Sequence, residues 1–403
     1  MTLSDFPLLS FFTGGGLLDI GFIDAGFSIV WHNESDGAIA DGYEYAIEGR
    51  YGSNQQAGLK IQNRKLIQSV SARMIEREAF SRSGKPETFG IIGGPPCPDF
   101  SSAGLHKGTQ GSNGILSGYY ASRILALKPT FFVLENVPGL LRTAKHRAYL
   151  SELLRRLERR YSLDVSVLNA LNFGVPQDRN RVFVVGFLRD WLDKERGLSV
   201  PRRGEHWGTA LDALKLRLFR DLRGSEVVEV ESHWFQWPHD TQYYAAKWQY
   251  PWPHTSPFGG QPEKPADIPD ELMIETHIGT QAHLHTLPNG QDSFQPHSSK
   301  FDTVAEGDVK GKSFKRLHRW RYSPTAAYGN REVHLHPYER RRLTVREAMR
   351  IQSVPDDYAL PDTISLGTKF KMISNGVPVK LATALAKQIA SFLAEEQSAS
   401  LPT

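Results

Sequence analysis

Blocks of apolar and polar residues alternate along the first half of this chain and predict strands and helices in turn. Residues 8–12 form the apolar run of a buried strand, and the chain then breaks at a Thr-Gly-Gly-Gly segment, residues 13–16. A helix pattern over 17–25 and a second strand pattern over 28–31 follow. Glycines between a strand and a helix let the backbone approach a ligand closely. The opening therefore predicts a strand, turn, helix and strand unit with a candidate binding loop.

The alternation continues to about residue 186. Residues 53–83 are polar with a helical tendency, and short apolar runs predict further strands at 89–92, 131–134 and 182–185. Strand patterns separated by helical and loop segments are typical of parallel strands joined by crossover helices. We therefore expect an α/β fold, a doubly wound and mostly parallel sheet with helices on both faces.

The pattern changes after Arg189. Hydrophobic runs become short, Pro, His and Trp crowd together over 233–262, and helix patterns return only at 342–351 and 380–393. We expect the tail from residue 395 to be frayed. The changes predict three parts: a large domain over 1–190, a smaller irregular domain over 191–338, and C-terminal helices over 339–403 that return to the large domain.

Composition agrees with a folded protein of more than one core. The 403 residues exceed the size of an ordinary single core, and 40% are hydrophobic while 23% are charged. The formal net charge of +4 permits a nucleic-acid partner without requiring one. The single cysteine excludes an intramolecular disulfide and a zinc site built on several thiolates, consistent with a reducing cytosol.

Targeting signals are absent from the sequence pattern. Residues 1–7 lack the basic and long apolar segments of a secretion signal, and no uncharged apolar run approaches the length that spans a bilayer. We therefore expect a cytoplasmic protein with no membrane association.

Polar residues of three different kinds stand beside apolar strand patterns. Cys97 follows a Gly-Pro-Pro turn, Glu135 and Asn136 end the run at 131–134, and Arg179 and Arg181 precede the run at 182–185. A thiolate is a nucleophile, a carboxyl group can protonate a ring nitrogen, and an arginine can hold a ring carbonyl. Together these groups suit chemistry on an electron-poor ring.

Each of these residues also has an ordinary structural interpretation. Free cysteines are usually buried and inert, although the polar, glycine-rich segment after Cys97 argues against that here. Glu135 at a strand end is alternatively a solvent-facing charge. Arg179 and Arg181 are alternatively a salt-bridged surface pair, although their alternating spacing places them on one side of a strand.

In this order, the Pro-Cys turn, the triplet at 135–137 and the Gln-x-Arg-x-Arg cluster at 177–181 resemble the core motifs of the DNA (cytosine-5)-methyltransferase family. The resemblance covers residues 11 to about 389 except for a variable segment. It implies a Rossmann-like, S-adenosylmethionine-dependent methyltransferase with a target recognition domain at 191–338. The implied reaction methylates C5 of a cytosine flipped out of a specific double-stranded DNA sequence, through a covalent bond between Cys97 and C6.

The resemblance also implies roles for individual residues. Glu135 acts beside N3 of cytosine, Arg181 contacts O2, and Arg179 supports it. The reaction requires no metal, and the sequence offers no obvious metal cluster. The implied S-adenosylmethionine site comprises Phe12, Thr13, Gly14, Gly16, Glu34, Ser69, Val70, Pro96, Leu116, Asn375 and Gly376.

Within that set, Glu34 is expected to bind the ribose hydroxyls because it follows the second strand. Leu17 replaces the third glycine of the family pattern, and Ser35 stands where a tryptophan is common. Ser69 and Val70 are the nearest candidates for an Asp-Ile pair that contacts adenine. Out of context, the glycine run is alternatively a generic tight turn.

For DNA contacts, Ser101, Ser102 and Lys107 fall in the segment that resembles a mobile catalytic loop, where Pro98 replaces the usual glutamine. A basic stretch suits phosphate contacts or guanine readout. A solvated basic surface is its alternative. The residues predicted from that stretch are Lys315, Arg316, Arg319 and Arg321. Most aromatic residues of the variable segment are expected to form the core of the smaller domain.

Three rival functions stay open at this point. A tRNA cytosine-5 methyltransferase shares every catalytic motif, and an inactive DNA-binding relative shares the fold. A nicotinamide-dependent oxidoreductase would explain the glycine loop but not the Cys, Glu and Arg motifs. If the chain is a DNA (cytosine-5)-methyltransferase, we expect a monomer that binds double-stranded DNA in the nucleoid of a prokaryotic cytoplasm and functions beside a restriction endonuclease.

Overall fold

The computed structural model describes most of the chain. The described residues are 6–52, 61–81, 84–96, 114–219, 234–279, 283–295, 298–325, 328 and 332–394.

A seven-stranded sheet forms the centre of the molecule. Its strands are β1 (Pro7–Phe11), β2 (Ser28–Asn33), β3 (Gln62–Asn63), β4 (Gly90–Gly93), β5 (Phe131–Asn136), β6 (Tyr161–Asn169) and β7 (Asn180–Leu188), in the order β3-β2-β1-β4-β5-β7-β6. The first five run parallel, and β7 lies antiparallel to both β5 and β6. Two short strands, β8 (Lys315–Arg316) and β9 (His334–Leu335), pair separately.

Helices occupy the connections. They are α1 (Leu17–Asp24), α2 (Gly37–Tyr51), α3 (Ala72–Phe80), α4 (Gly114–Leu127), α5 (Gly139–Arg142), α6 (Ala144–Leu157), α7 (Arg189–Arg196), α8 (Trp207–Phe219), α9 (Ala246–Gln249), α10 (Ile274–Ile278), α11 (Lys300–Thr303), α12 (Val345–Ile351), α13 (Leu366–Asn375) and α14 (Val379–Ala394).

Alternating side chains of the buried strands pack into two hydrophobic cores, one on each face of the sheet. Leu9, Phe11 and Phe132 face the layer that contains α3, α4, α6 and α8, whereas Leu8 and Phe131 face the layer with α1 and α14. Successive side chains of a strand point to opposite faces, so an apolar run without alternation predicts burial on both. The expectation of a doubly wound, mostly parallel α/β sheet is confirmed.

The C-terminal helices pack against the first part of the chain. Helix α14 packs against α1, while α12 and α13 share a third core with α2. Thr344 begins α12 with a capping box, in which its side chain accepts a hydrogen bond from the backbone N–H of Glu347 and the Glu347 carboxylate bonds back.

Between residues 234 and 343 the described chain has little regular structure. Its small cores include Tyr243, Leu272 and Tyr322 in one cluster and Phe301 and Leu335 in another. The division at residue 190 stays a prediction. Helix α8, which follows that boundary, buries Trp207 in the core that also contains residues of α6.

Among the described helices, no single one has the length and apolar character to cross a membrane. Helices α13 and α14 meet those criteria only as a pair bent by 41°.

Candidate active site

The carboxyl ends of the parallel strands bring the predicted site residues to one edge of the sheet. We call this the carboxyl edge. The glycine loop follows β1, Glu34 follows β2, the Gly-Pro-Pro turn follows β4, and Glu135 ends β5. Because β7 runs the other way, its beginning lies at the same edge, and Val182 pairs with Asn136. Ligands of open α/β sheets bind outside the carboxyl ends of the strands.

Glu135 and Arg181 form a buried ion pair at this edge. Nε of Arg181 lies 2.8 Å from Oε1 of Glu135, and the two side chains are only 7% and 11% exposed. Neither of these two atoms has a well-aligned hydrogen bond among the described residues. The contact is therefore mainly electrostatic, and the burial of both side chains strengthens it.

Burial sets the protonation behaviour of the pair. It raises the pKa of the Glu135 carboxyl, against the opposing effect of the Arg181 and Arg179 charges. Burial also lowers the pKa of Arg181, which the nearby Glu135 charge opposes. A carboxyl group with a raised pKa is suited to carry a proton to an acceptor such as a ring nitrogen.

The turn that leads to Cys97 lies directly against Glu135. A β-carbon on Gly94 would be 2.6 Å from Oε2 of Glu135, so only glycine allows this approach. The side chain of Asn136 donates from Nδ2 to the carbonyl of Pro95 at 3.5 Å. Pro95 is buried and Pro96 is exposed at the end of the described turn. The predicted residues Cys97, Ser101, Ser102 and Lys107 lie outside the described residues.

Arg179 has a different task from Arg181. It is fully buried and donates from Nη2 to the carbonyls of Ser374 at 2.6 Å and Gly376 at 2.8 Å. Burial, and next the neighbouring charge of Arg181, lower its pKa. Arg179 thus joins the Gln-x-Arg-x-Arg cluster to the C-terminal segment, in keeping with a supporting role.

Asp178, which directly precedes Arg179, joins the cluster to the irregular region. Its Oδ2 lies 3.0 Å from Nζ of Lys247, and its Oδ1 accepts from Nδ2 of Asn169 at 2.7 Å. Its backbone N–H donates to Ser323, and its carbonyl accepts from Thr325. The variable segment is therefore attached to the residues that immediately precede Arg179 and Arg181.

The glycine loop forms a polar cradle with Glu34. The backbone N–H of Gly14 donates to Oε2 of Glu34 at 3.1 Å, and the N–H of Asp36 donates to Oε1 at 3.0 Å. Gly14 has a left-handed φ of 54°, and a β-carbon there would meet nothing closer than the carbonyl of Phe12 at 4.0 Å. The hydroxyl of Thr13 is buried and has no hydrogen-bond partner among the described residues.

This donor and acceptor set fits an amino-acid and ribose-bearing ligand. The orphaned Thr13 hydroxyl, the open face of Gly14 and the Glu34 carboxylate surround one end of β1, where S-adenosylmethionine was predicted to bind. Phe12 stands at the rim with a left-handed φ of 55°, its ring 6.1 Å from the ring of Tyr120. Leu116 packs partly buried against the same core as Phe12.

Ser69 and Val70, the two residues predicted to contact adenine, differ in their exposure to solvent. Ser69 is exposed, whereas Val70 is completely buried in the core and its carbonyl accepts from Arg123. The Val70 side chain is therefore a core residue and is not available to a ligand. At the carboxyl edge, Asn63 of β3 contacts the cradle directly: its carbonyl accepts a hydrogen bond from the backbone N–H of Glu34 at 3.1 Å. The sequence analysis missed Asn63, since a two-residue polar strand leaves no pattern.

The C-terminal part of the predicted cofactor set also reaches the glycine loop. Asn375 is exposed, and Gly376 packs against Leu17. Gly15 lies against Met372, and the hydroxyl of Tyr358 donates to the Gly15 carbonyl at 2.7 Å. The structure thus brings the 372–376 segment to the cradle. Phe12, Thr13, Gly14 and Gly16, which are also predicted to bind the cofactor, belong to this loop, and Glu34 is hydrogen-bonded to it.

The predicted DNA contacts from the basic stretch need correction. Arg316 is fully buried and donates to the carbonyls of Val304 at 2.8 Å and His336 at 2.6 Å, among others. Arg319 forms a paired contact with the buried Glu306, at 2.9 and 2.8 Å. Both guanidinium groups hold the irregular region together, so neither is available to a phosphate. Basic spacing alone does not distinguish an arginine that faces water from one that faces carbonyl groups.

Of the other two basic residues, Lys315 is no more exposed than Arg319, since both side chains are 15% exposed, whereas Arg321 lies at an open surface. Lys315 pairs with Glu332 at 3.3 Å. Arg321 lines a surface cavity of about 240 Å³ with Asp178 and Lys247. Nearby, Trp248 is 49% exposed and follows Lys247 directly in α9. Most other aromatics of the segment are packed, as expected: Phe235 is buried beside Phe187 and Phe392.

With this geometry in hand, comparison with known proteins identifies the class. The family model of the C-5 cytosine-specific DNA methylases matches residues 6–391. The chain is 38% identical over 390 residues to the Type II methyltransferase M.NmeDI of Neisseria meningitidis serogroup C, covering 96% of this chain and 84% of that protein. It is 29% identical to the Type II methyltransferase M.MthTI of Methanothermobacter thermautotrophicus, covering 95% and 96%.

A solved structure shares the fold. A DNA modification methyltransferase encoded within an Escherichia coli prophage superimposes with a TM-score of 0.61 at 21% identity, covering 97% of this chain and 100% of the other. The chain belongs to the C-5 cytosine-specific DNA methylase family. It is a DNA (cytosine-5)-methyltransferase that uses S-adenosylmethionine and acts on double-stranded DNA. The resemblance stated from the sequence motifs is confirmed.

Proposed function

We propose that this enzyme methylates a cytosine that has been swung out of a specific duplex sequence, with Cys97 as nucleophile and Glu135 and Arg181 as the groups that hold the base. The buried Glu135–Arg181 pair beside the Gly94–Pro95 turn carries the proposal. Pro96 immediately precedes Cys97 in the chain, so the predicted nucleophile follows directly on a turn that contacts Glu135.

The proposed chemistry assigns one step to each side chain. The Cys97 thiolate forms a bond to C6 of cytosine. Glu135, whose pKa burial raises, delivers its proton to N3, and Arg181 stabilises the oxygen at C2 as electron density moves onto the ring. C5 thereby becomes nucleophilic. S-adenosylmethionine, held by the cradle of Thr13, Gly14 and Glu34, supplies the methyl group. Water then takes the C5 proton, the electrons of that C–H bond re-form the C5–C6 double bond, and Cys97 leaves C6 as a thiolate while N3 returns its proton to Glu135.

A cytosine stacked in a duplex exposes neither C6 nor N3 to an enzyme, so the base must leave the stack. We assign the sequence-specific contacts to the irregular part of the predicted domain over 191–338, after residue 233, with Arg321 at its surface, and to Ser101, Ser102 and Lys107 in the segment after Cys97. Asn375, Gly376, Pro96 and Leu116 complete the proposed cofactor site.

The biological setting is part of the proposal. The relatives reported above are Type II methyltransferases, and we propose the same type for this chain. It would then act as a monomer on one target sequence, in the nucleoid of a prokaryotic cytoplasm, beside a restriction endonuclease of matching specificity.

The assignment of Cys97 is tested by Cys97→Ser. Transfer of a labelled methyl group from S-adenosylmethionine to unmethylated genomic DNA should fall below detection, because an alcohol is a far weaker nucleophile than a thiolate. Binding of S-adenosylhomocysteine, measured by calorimetry, should be unchanged. Substantial transfer by the serine variant would exclude the covalent mechanism. Transfer by the wild type to tRNA instead of DNA would contradict the proposed substrate.

A further inference from the structure

The end of the sheet opposite the active site carries a cluster of arginines. Three side chains are exposed, Arg159 and Arg160 after α6 and Arg202 after α7. Arg159 and Arg202 line a surface cavity of about 280 Å³ together with Arg155 and Arg156, and Glu152 and Glu158 are also part of its lining. We call the following set the arginine patch: Arg155, Arg156, Arg159, Arg160, Arg202 and Arg203.

The acidic residues of this region are already engaged. Glu152 and Glu205 both pair with Arg155, at 2.6 and 2.9 Å. The Glu158 carboxylate accepts from the backbone N–H groups of Arg203 at 2.6 Å and Gly204 at 3.0 Å. The patch therefore has more positive charge than its carboxylates neutralise.

The exposed arginines lack acidic partners within the described part of the chain. Arg159 and Arg160 form no ion pair there, and the guanidinium of Arg202 donates to the carbonyl of Arg159 at 3.3 Å. The charge of Arg202 is also, after burial, a cause of the lowered pKa of nearby Arg189. These contacts describe an unneutralised positive surface.

The position of the patch separates it from the catalytic groups. Strand β6 begins at Tyr161, directly after Arg160, and ends at Asn169, which contacts Asp178. Its nine residues span about 26 Å. The patch thus lies at the amino edge of the sheet, facing away from a duplex that occupies the carboxyl edge.

Helix geometry accounts for only part of the cluster. Cations near the end of α6 are favoured by the helix dipole. Arg202, however, comes from another segment of the chain and lines the same cavity. Planar guanidinium groups match phosphate oxygens in pairs. No exposed large apolar side chain of the described residues lines the cavity, as a membrane or a stable protein interface would require.

We propose that the arginine patch binds the phosphate backbone of a second segment of duplex DNA. One enzyme molecule then holds two duplexes, one at the carboxyl edge and one at the amino edge. This second contact is independent of base sequence and of methyl transfer, and it gives the enzyme a direct route from one DNA segment to another.

The test measures bridging between two labelled duplexes. Donor- and acceptor-labelled duplexes of alternating dA and dT contain no cytosine, so neither can enter the methylation reaction. Mixed with the full-length wild type, they should show energy transfer that falls with salt. Arg159→Ala/Arg160→Ala/Arg202→Ala should reduce bridging by about tenfold or more and its salt slope by about 3. Binding of a single duplex should change much less, because the carboxyl edge is intact.

A matched control removes the same charge elsewhere. Arg73→Ala/Arg77→Ala/Lys387→Ala alters three exposed cations on α3 and α14 and should leave bridging unchanged. Equal bridging by the two triple variants would overturn the proposal, and so would an absence of bridging by the wild type. Preference of the patch for polyglutamate over duplex DNA would overturn it in favour of an acidic protein partner.

Methyl transfer to unmethylated genomic DNA is measured on the same proteins. The patch variant should retain it, since no altered residue lies at the carboxyl edge. Failure of the wild type in that assay would count against the proposed function and not against bridging.

Discussion

The side chain of Leu17 fills the space that a β-carbon on Gly376 would need: that carbon would lie 2.5 Å from Cδ2 of Leu17. Leu17 stands where the family pattern has its third glycine, so the added bulk is matched by a glycine on the facing segment. The glycine loop and the C-terminal segment are therefore fitted to each other at this contact.

Gly376→Ala should destabilise the protein by about 1–3 kcal/mol, the usual cost of overpacking a close contact. Affinity for S-adenosylhomocysteine should fall as well, because the loop must shift. Chemical denaturation and calorimetry measure the two effects. In a double-mutant cycle, Gly376→Ala should cost much less in a Leu17→Ala background than in the wild type, although Leu17→Ala alone is destabilising because Leu17 is buried. Gly208→Ala, where no atom lies within 4 Å of the added carbon, is the control. Stability of Gly376→Ala equal to this control would refute the fit.

Glu34 holds the cofactor loop through two backbone hydrogen bonds as well as facing the ligand. Glu34→Gln replaces one accepting oxygen with a donor and so loses the bond from Gly14 or from Asp36. We expect affinity for S-adenosylmethionine to fall about tenfold, equivalent to about 1.4 kcal/mol. Calorimetry on Glu34→Gln and on the control Glu44→Gln, an α2 carboxylate paired with Arg64, decides the matter. Equal affinities would contradict the assigned role.

Loss of the ion pair between Asp178 and Lys247 should weaken the binding of DNA more than the binding of the cofactor. Lys247→Met removes the partly exposed ion pair, which is worth about 0.5–1 kcal/mol. The KM for DNA should rise about two- to fivefold, with cofactor affinity unchanged. A double-mutant cycle with Asp178→Asn gives the coupling energy, and Lys264→Met, from a separate surface pair with Asp270, is the control. Zero coupling would mean that this pair does not join the two regions.

Asp19 gives a pH dependence to stability. Burial raises its pKa to about 6 from 3.8, although the hydroxyls of Tyr43 and Ser10 donate to it. The folded protein holds this proton more tightly than the unfolded chain, so the contribution of Asp19 to stability is complete below pH 3.8 and is lost as pH rises through about 6. The full loss amounts to about 3 kcal/mol.

Asp19→Asn removes this titration. Relative to the variant, the wild type should lose most of that energy between acidic and neutral pH, as measured by urea unfolding. If the difference in unfolding free energy between the wild type and Asp19→Asn stayed constant between acidic and neutral pH, the raised pKa of Asp19 would be contradicted.

Local sequence predicts the parts of this fold that bury continuous apolar runs. Strands β1, β4, β5 and β7 lie within one or two residues of the predicted runs or extend them. Strand β3 consists of Gln62 and Asn63, and its polar pair carries no strand pattern. Helix α8 follows the predicted boundary at residue 190, but its packing against α6 depends on contacts distant in sequence.

The site was predictable where a charged residue directly follows or precedes an apolar strand pattern. Glu34 and Glu135 are at the edge where the carboxyl ends of parallel strands lie. Arg181 reaches the same edge because β7 runs antiparallel, a reversal that the apolar pattern does not show. Arg316 was not predictable, because its partners are carbonyl groups from residues 301 to 339 that only the folded chain brings together. Asn63 escaped notice for the same reason: its contact with Glu34 depends on strand pairing.

The central claim is that this chain methylates cytosine at C5 through Cys97, Glu135 and Arg181. Bisulfite sequencing of DNA from a methylation-deficient bacterial host tests it most directly. Expression of the wild type should protect cytosines within one recurring sequence, while Cys97→Ser and Glu135→Gln, expressed at equal levels, should protect none. Absence of protected cytosines with the wild type, or the same protected sequence with Cys97→Ser, would contradict the account.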